Sequence, residues 1–206
     1  MAKEVVKDSS TEEKIRASAK KVFTRSGLMG ARMQDIADEA GINKALLHYY
    51  FRSKEQLFDV IFMEAAGQLF PRIRQIFETD GPLFELIERF CEEYIDIISA
   101  NPYLPIFVFN EINRDPHAFI NKINSAMGFP KPEMFLKKIE KEIRKGTIKK
   151  VNPIQLLLNL LSMCIFPFVA KPLVVVNLQV NETEFNALME QRKKEIPKFI
   201  IDSIKK

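Results

Sequence analysis

The chain has 206 residues, 47% of them hydrophobic, and 31 basic against 27 acidic side chains leave a net charge of +4. That length can bury a substantial core in one domain or two, and the mild basic balance permits a polyanionic partner without requiring one. Cys91 and Cys164 stand far apart with no C-x-x-C pair or Cys/His cluster, which disfavours metal and disulfide roles and favours a reduced, cytoplasmic interior.

The opening MAKEVVKDSS lacks the apolar stretch of a secretory signal, so no export is expected. The most hydrophobic run, 154–176, is interrupted by Gln155, Asn159, Ser162, Pro167, Lys171 and Pro172, and no membrane span is expected there. Enzymatic chemistry has no foothold. The two histidines, His48 and His117, join no H-E-x-x-H or Cys/His set, and there is no Gly-rich phosphate loop, G-x-S-x-G or Ser/His/Asp ordering. No cofactor is expected.

Residues 1–9 are polar; Lys3 and Lys7 form either a phosphate-seeking arm or a tail without a role. Ser10 with Glu13 predicts a capping box, and Ile15, Ala19, Val22, Phe23 and Ser26 mark the inward stripe of a first helix that Gly27 ends. Met33, Ile36, Ala37 and Ala40 give a second, short helix with Gln34, Asp35, Asp38 and Glu39 toward water. Gly41 can take the left-handed conformation past its end, and Asn43 can cap the next helix, so the chain turns and restarts as a helix-turn-helix does.

Helix 44–51 carries the functional signal. At 100° per residue Leu47, Tyr50 and Phe51 face inward, Ala45, His48 and Tyr49 face outward, and Lys44 and Leu46 flank them. A solvated face would carry Glu, Lys and Gln; this one has no acid before Glu55. Rings and Lys suit phosphates and base edges, and Leu and Ala suit a thymine methyl, so the face fits a DNA major groove. The alternative for the same residues is a helix buried against another domain.

Ser53 with Gln56 predicts a further capping box, opening a helix with Leu57, Phe58, Ile61, Phe62, Ala65 and Leu69 on one side. Lys54, in its first turn, either clamps a phosphate with the free N–H groups there or is an ordinary exposed lysine. Pro71 predicts a kink or restart. Beyond Gly81 a strong helix over 83–98 is followed by helices at 103–113, 117–126, 132–145 and 153–168, three of them announced by Asn101-Pro102, Asp115-Pro116 and Asn152-Pro153. The last runs over 182–204, capped by Asn181 with Glu184 and bent or broken before Pro197. Residues 173–180 read as an extended linker. The fold class is all-α.

Residues 11–62 resemble the N-terminal domain of the TetR (tetracycline repressor) family of bacterial transcriptional regulators. The matching positions are Ile15, Ala19, Phe23 and Gly27; Asp35, Ile36, Ala37, Ala40 and Gly41; Lys44, Leu47, Tyr50 and Phe51; and Lys54, Leu57 and Phe58. The chain departs from the family at Arg32, where a hydroxyl cap is common, at Leu46, where a small or hydroxyl residue is frequent, and at His48, where many members carry Tyr. Arg32 can offer a phosphate its charged fork in place of the lost cap.

The resemblance implies a three-helix helix-turn-helix DNA-binding domain over 1–54 and a larger helical effector-binding and dimerisation domain over 55–206. The DNA-binding candidates are Arg32, Met33, Gln34, Asn43, Lys44, Ala45, Leu46, His48, Tyr49 and Lys54. One short helix touches too few base pairs for selectivity, so a twofold homodimer reading a palindromic double-stranded operator, with half-sites on the order of 35 Å apart, is expected. The resemblance places the dimer interface on Ile154, Leu157, Leu158, Leu161 and Ile165 and, from the last helix, on Phe185, Leu188, Met189, Phe199 and Ile200. It also implies a cavity for a small, largely apolar effector that releases a repressor from DNA. Candidate lining residues are Phe90, Tyr94, Phe107, Phe109 and Phe119, with Met127, Met134, Met163 and Phe166; the same stripes would also serve as plain core. The competing class is a helical carrier of apolar ligands that never touches DNA.

Overall fold

The computed structural model describes residues 9–206, the side chain of Arg114 excepted, and the expected arm at Lys3 and Lys7 lies outside them. The all-helical expectation holds among the described residues, where the one β feature is an isolated bridge between Ile148 and Lys205. The chain divides into two compact units, Met1–Ala66 and Gly67–Lys206, with the division falling inside a helix.

The first unit holds α1 (Ser9–Gly30), α2 (Met33–Ala40), α3 (Lys44–Tyr50) and the opening turns of α4 (Lys54–Glu78). Gly27 ends the regular part of α1, as expected, with φ 64° and ψ 174°; a further turn follows to Gly30. Ser10 lies inside α1, so the box predicted with Glu13 is not its start. The core is built from Ile15, Val22 and Phe23, from Ile36 and Leu47, and from Leu57, Phe58, Ile61 and Phe62, all fully buried. The Phe23 and Phe58 rings meet edge to face at 4.9 Å. At about 1.5–3 kcal/mol for each large side chain withdrawn from water, these contacts hold the short helices α2 and α3, which would not persist alone.

The second unit adds α5 (Leu83–Ala100), α6 (Leu104–Arg114), α7 (Pro116–Ala126), α8 (Glu133–Lys145), α9 (Pro153–Val169), α10 (Lys171–Leu178) and α11 (Glu182–Ile204) to the rest of α4. The predicted caps at Asp115, Asn152 and Asn181 form, each side chain accepting from backbone N–H groups of the helix it opens. Asn101 does something else. Its amide donates to the Ile97 carbonyl and its oxygen accepts from the Tyr103 hydroxyl, so it closes α5 where a cap for α6 was expected.

Three further expectations change. Pro71 and Pro197 sit inside unbroken helices. At Pro71 the residue whose carbonyl loses its partner, Gly67, is exposed, where water can serve it. Residues 173–180 are not an extended linker: Pro172 near its start and Gln179 in the left-handed region at its end frame the helix α10. A β-branched run with no neighbouring strand has nothing to pair with, and helix formation satisfies its backbone internally.

Pro167 lies within α9 and cannot donate to the carbonyl one turn back, at Met163. Arg192 of α11 supplies that bond, its Nη2 lying 2.7 Å from the Met163 oxygen, at the cost of leaving its Nε buried without a partner. Cys91 and Cys164, remote in sequence, face each other from α5 and α9 as buried free thiols with their sulfurs 3.8 Å apart. The bond to Cys91, followed by burial, pushes the Cys164 thiol well above its ordinary range.

Candidate nucleic-acid interface

The helix-turn-helix is fixed by short-range bonds. Gly41 takes φ 62°, ψ 38° and returns its N–H to the Asp38 carbonyl, while the Ile42 N–H reaches Ala37. Asn43 Oδ1 then accepts from the Leu46 N–H at 2.7 Å and starts α3. At the head of α2 the Arg32 N–H donates to Asp35 Oδ2 at 3.2 Å. Arginine has no acceptor, so only this half of a capping box is physically available, and the Arg32 guanidinium stays exposed.

On α3, Lys44, Ala45, His48 and Tyr49 are exposed, Leu46 is half-buried, and Leu47 and Tyr50 are buried. Tyr49 remains 47% exposed although its ring meets that of Tyr50 edge to face at 5.5 Å. His48 Nδ1 lies 3.3 Å from the Arg52 carbonyl. On α2, Met33 is half-buried and Gln34 is exposed, its amide donating to Asp38 Oδ1 at 2.8 Å. Following α3, the Gln56 N–H donates to Ser53 as predicted, but Gln56 Oε1 accepts from the Arg52 N–H.

Lys54 needs correction. Its ammonium donates to the carbonyls of Leu28, Met29 and Ala31 at 3.0, 3.3 and 3.2 Å. Three protons meet three carbonyls, two in the last turn of α1 and one in the link that follows it, where the helix no longer supplies N–H partners. No donor is left for a phosphate, so Lys54 holds the end of α1 beside the reading helix. The sequence could not show this, because the acceptors are backbone atoms more than twenty residues upstream.

The second unit contains an apolar cavity of about 220 Å³. Its wall comes from α4 (Leu69, Phe70, Ile73, Phe77), α5 (Tyr94, Ile98), α6 (Leu104, Pro105, Val108), the α7–α8 link and α9. Of the residues expected to line a pocket, Tyr94 alone does. Phe90, Phe107 and Phe119 are buried outside this wall, Met127 and Met163 are half-buried outside it, and Phe109, Met134 and Phe166 are on the surface. Aromatic and thioether composition does not separate these fates; the wall is mostly aliphatic and proline, and only packing brings it together.

The residues expected at a dimer interface also divide. Ile154, Leu158 and Phe199 are exposed and Leu188 is half-buried. Phe185, Met189 and Ile200 are buried within their own unit, and Leu157, Leu161 and Ile165 line the cavity. The exposed and the buried members lie on different faces of the same helices. The apolar surface that sequence reasoning missed is α10, where Leu173, Val176 and Leu178 are each at least 60% exposed.

Residues 15–61 match the model of the bacterial regulatory proteins of the tetR family, a span running from α1 into α4. The chain is 32% identical over 87 residues to an HTH-type transcriptional repressor, KstR2, of Mycolicibacterium smegmatis, a stretch covering 42% of each protein. It is 25% identical over 136 residues, 66% of this chain and 71% of the relative, to the uncharacterized HTH-type transcriptional regulator YhgD of Bacillus subtilis. The solved ketosteroid transcriptional regulator KstR2 of Mycobacterium tuberculosis shares the fold, with a TM-score of 0.73, 17% identity and 97% of each chain covered. These relatives are regulators rather than enzymes. Taken with the capped helix-turn-helix of α2 and α3, the matches show that residues 15–61 are similar to the N-terminal domain of the tetR family of bacterial regulatory proteins, and that the chain shares the fold of a solved regulator.

Proposed function

We propose that the chain is a cytoplasmic DNA-binding transcriptional repressor that grips a palindromic operator as a homodimer and is released by a small, largely apolar ligand. The observation that carries this reading is the acid-free exposed face of α3, Lys44, Ala45, His48 and Tyr49, set at a fixed angle by the Gly41 turn and the Asn43 cap. Arg32 and Lys44 supply charge for phosphates, Tyr49 and His48 reach phosphates or base edges, and Leu46 and Ala45 present carbon to a thymine methyl. Met33, Gln34 and Asn43 border the contact, with Gln34 first giving up Asp38. Residues 1–54 act as the reader and 55–206 as the effector-binding and dimerising part.

The area of exposed apolar surface supports a second copy as partner. Ile154, Leu158 and Phe166 on α9 and Phe199 on α11 are each more than half exposed, as are the three residues of α10. At roughly 150–200 Å² for a fully exposed large side chain, α9 and α11 offer roughly 400 Å² and α10 roughly 300 Å² more, against about 800 Å² per partner in a standard interface. Without α10 the surface falls well short. Among the described residues no single helix is long and apolar enough to cross a membrane; α9 and α10 pass such a test only together, across a 69° bend.

The relative named a repressor favours repression over activation. Release follows if the ligand binds more tightly to a dimer geometry whose α3 helices no longer match the groove. Selection from randomised duplexes, followed by footprinting, tests the reading: a palindrome with half-sites one helical turn apart is expected. Absence of salt-dependent duplex binding would leave the carrier class in its place.

A further inference from the structure

We propose that the cavity among α4, α5, α6 and α9 takes an uncharged, hydrocarbon-rich molecule with one hydrogen-bond acceptor, which receives the Tyr94 hydroxyl. This rests on the reading of the second unit as an effector domain and names the effector's chemistry. A volume of about 220 Å³ lies above the ~150 Å³ of an engineered cavity that holds benzene and below the ~300 Å³ at which drug-sized sites begin, so the occupant has on the order of ten to fifteen non-hydrogen atoms.

Tyr94 is the one lining residue with a polar side chain. Its ring is held by stacking on Phe90 at 5.4 Å, and Phe90 in turn stacks on Phe77 at 5.9 Å, so the ring has a defined place on the wall. Among the described residues that hydroxyl makes no hydrogen bond, which is unusual for a tyrosine that is 8% exposed. Burial, with a lesser contribution from Cys164, raises its ionisation far above the ordinary phenol range, so it stays a neutral donor. A donor waiting in a hydrocarbon wall selects an acceptor: an alcohol, ether, ketone or ester oxygen.

Charge is selected against. No cation or anion lines the cavity, so an ionised head drawn inside would lose its water with nothing to replace it. Arg74, one turn along α4 from the lining Phe70, is not in the wall; its Nη1 donates to the Met127 carbonyl at 2.8 Å. A carboxylate of the same chain length therefore has no partner within the wall.

The test titrates the full-length chain with 1-decanol, decanoate and decylammonium at neutral pH, by calorimetry and thermal shift. Decanol is expected to bind at least about tenfold more tightly than either ion, and Tyr94→Phe to weaken decanol about five- to tenfold while leaving the two ions unchanged. Val108→Phe, which fills the cavity from α6 and keeps the Tyr94 hydroxyl, should abolish decanol binding in a chain that still melts cooperatively. Decanoate binding as well as decanol, an unaltered decanol affinity in Tyr94→Phe, or no binding by any probe overturns the proposal. Operator binding by the ligand-free chain is measured in parallel. Intact DNA binding with no probe bound defeats this inference alone, whereas decanol binding without effect on DNA defeats only release as its consequence.

Discussion

Lys54 illustrates how a side chain at a DNA-binding surface can matter without touching DNA. Its three bonds to carbonyls at and just past the end of α1 are charge-assisted, two of them part-buried, and losing them should cost about 2 kcal/mol. Lys54→Met is therefore expected to lower the urea midpoint, and any loss of operator affinity should shrink under conditions that restore the fold. Tyr49→Ala is the cleaner probe. Its ring is half in solvent, so the fold should melt normally while operator affinity falls about tenfold in a gel shift at fixed salt. Unchanged binding would remove Tyr49 from the contact. Leu46→Thr replaces a methyl-bearing surface with a hydroxyl and should shift half-site preference more than affinity, as read by selection from randomised operators.

At the scale of helices, the bond from Arg192 to Met163 makes a measurable coupling. Arg192→Met should destabilise the chain by about 2 kcal/mol, because the carbonyl that Pro167 leaves open then has no donor. In a Pro167→Ala background the backbone N–H returns, and the same change should cost about 1 kcal/mol less, a difference that a double-mutant cycle in urea reads directly. Strict additivity would mean the bond has no energetic role. Local chemistry was legible at Gly41, Asn43, Asp115, Asn152 and Asn181, which act as their spacing predicts, but not at Asn101, whose near neighbours Ile97 and Tyr103 draw it to the end of α5. It failed where partners are distant, as for Lys54, for Cys91 against Cys164, and for the cavity wall. It also failed at α10, where a β-branched run was given extended backbone although no strand was available to receive it. On α3 the inward and outward faces followed the 100° rule, since a helix of seven residues on a small core has only one way to sit.

For the whole molecule, α10 sets the test of assembly. Val176→Glu with Leu178→Glu puts two charges on a helix that buries none of its own residues, so folding should be unaffected. If a second copy covers α10, sedimentation should show the dimer weakened roughly a hundredfold or more; an unchanged dimer would confine the interface to α9 and α11. Operator affinity should fall with it, because a single reader has too small a footprint. In the intact dimer, contacts to about six phosphates predict a slope near −5 for log affinity against log salt.

The sulfur pair between α5 and α9 gives the chain an internal clock. A small maleimide cannot reach either atom until those helices part, so its labelling rate in the native protein counts their separations. The same two helices carry Tyr94 and Leu161 on the cavity wall. An occupant that holds them together should slow the clock, reporting its arrival in a chain that has never met DNA.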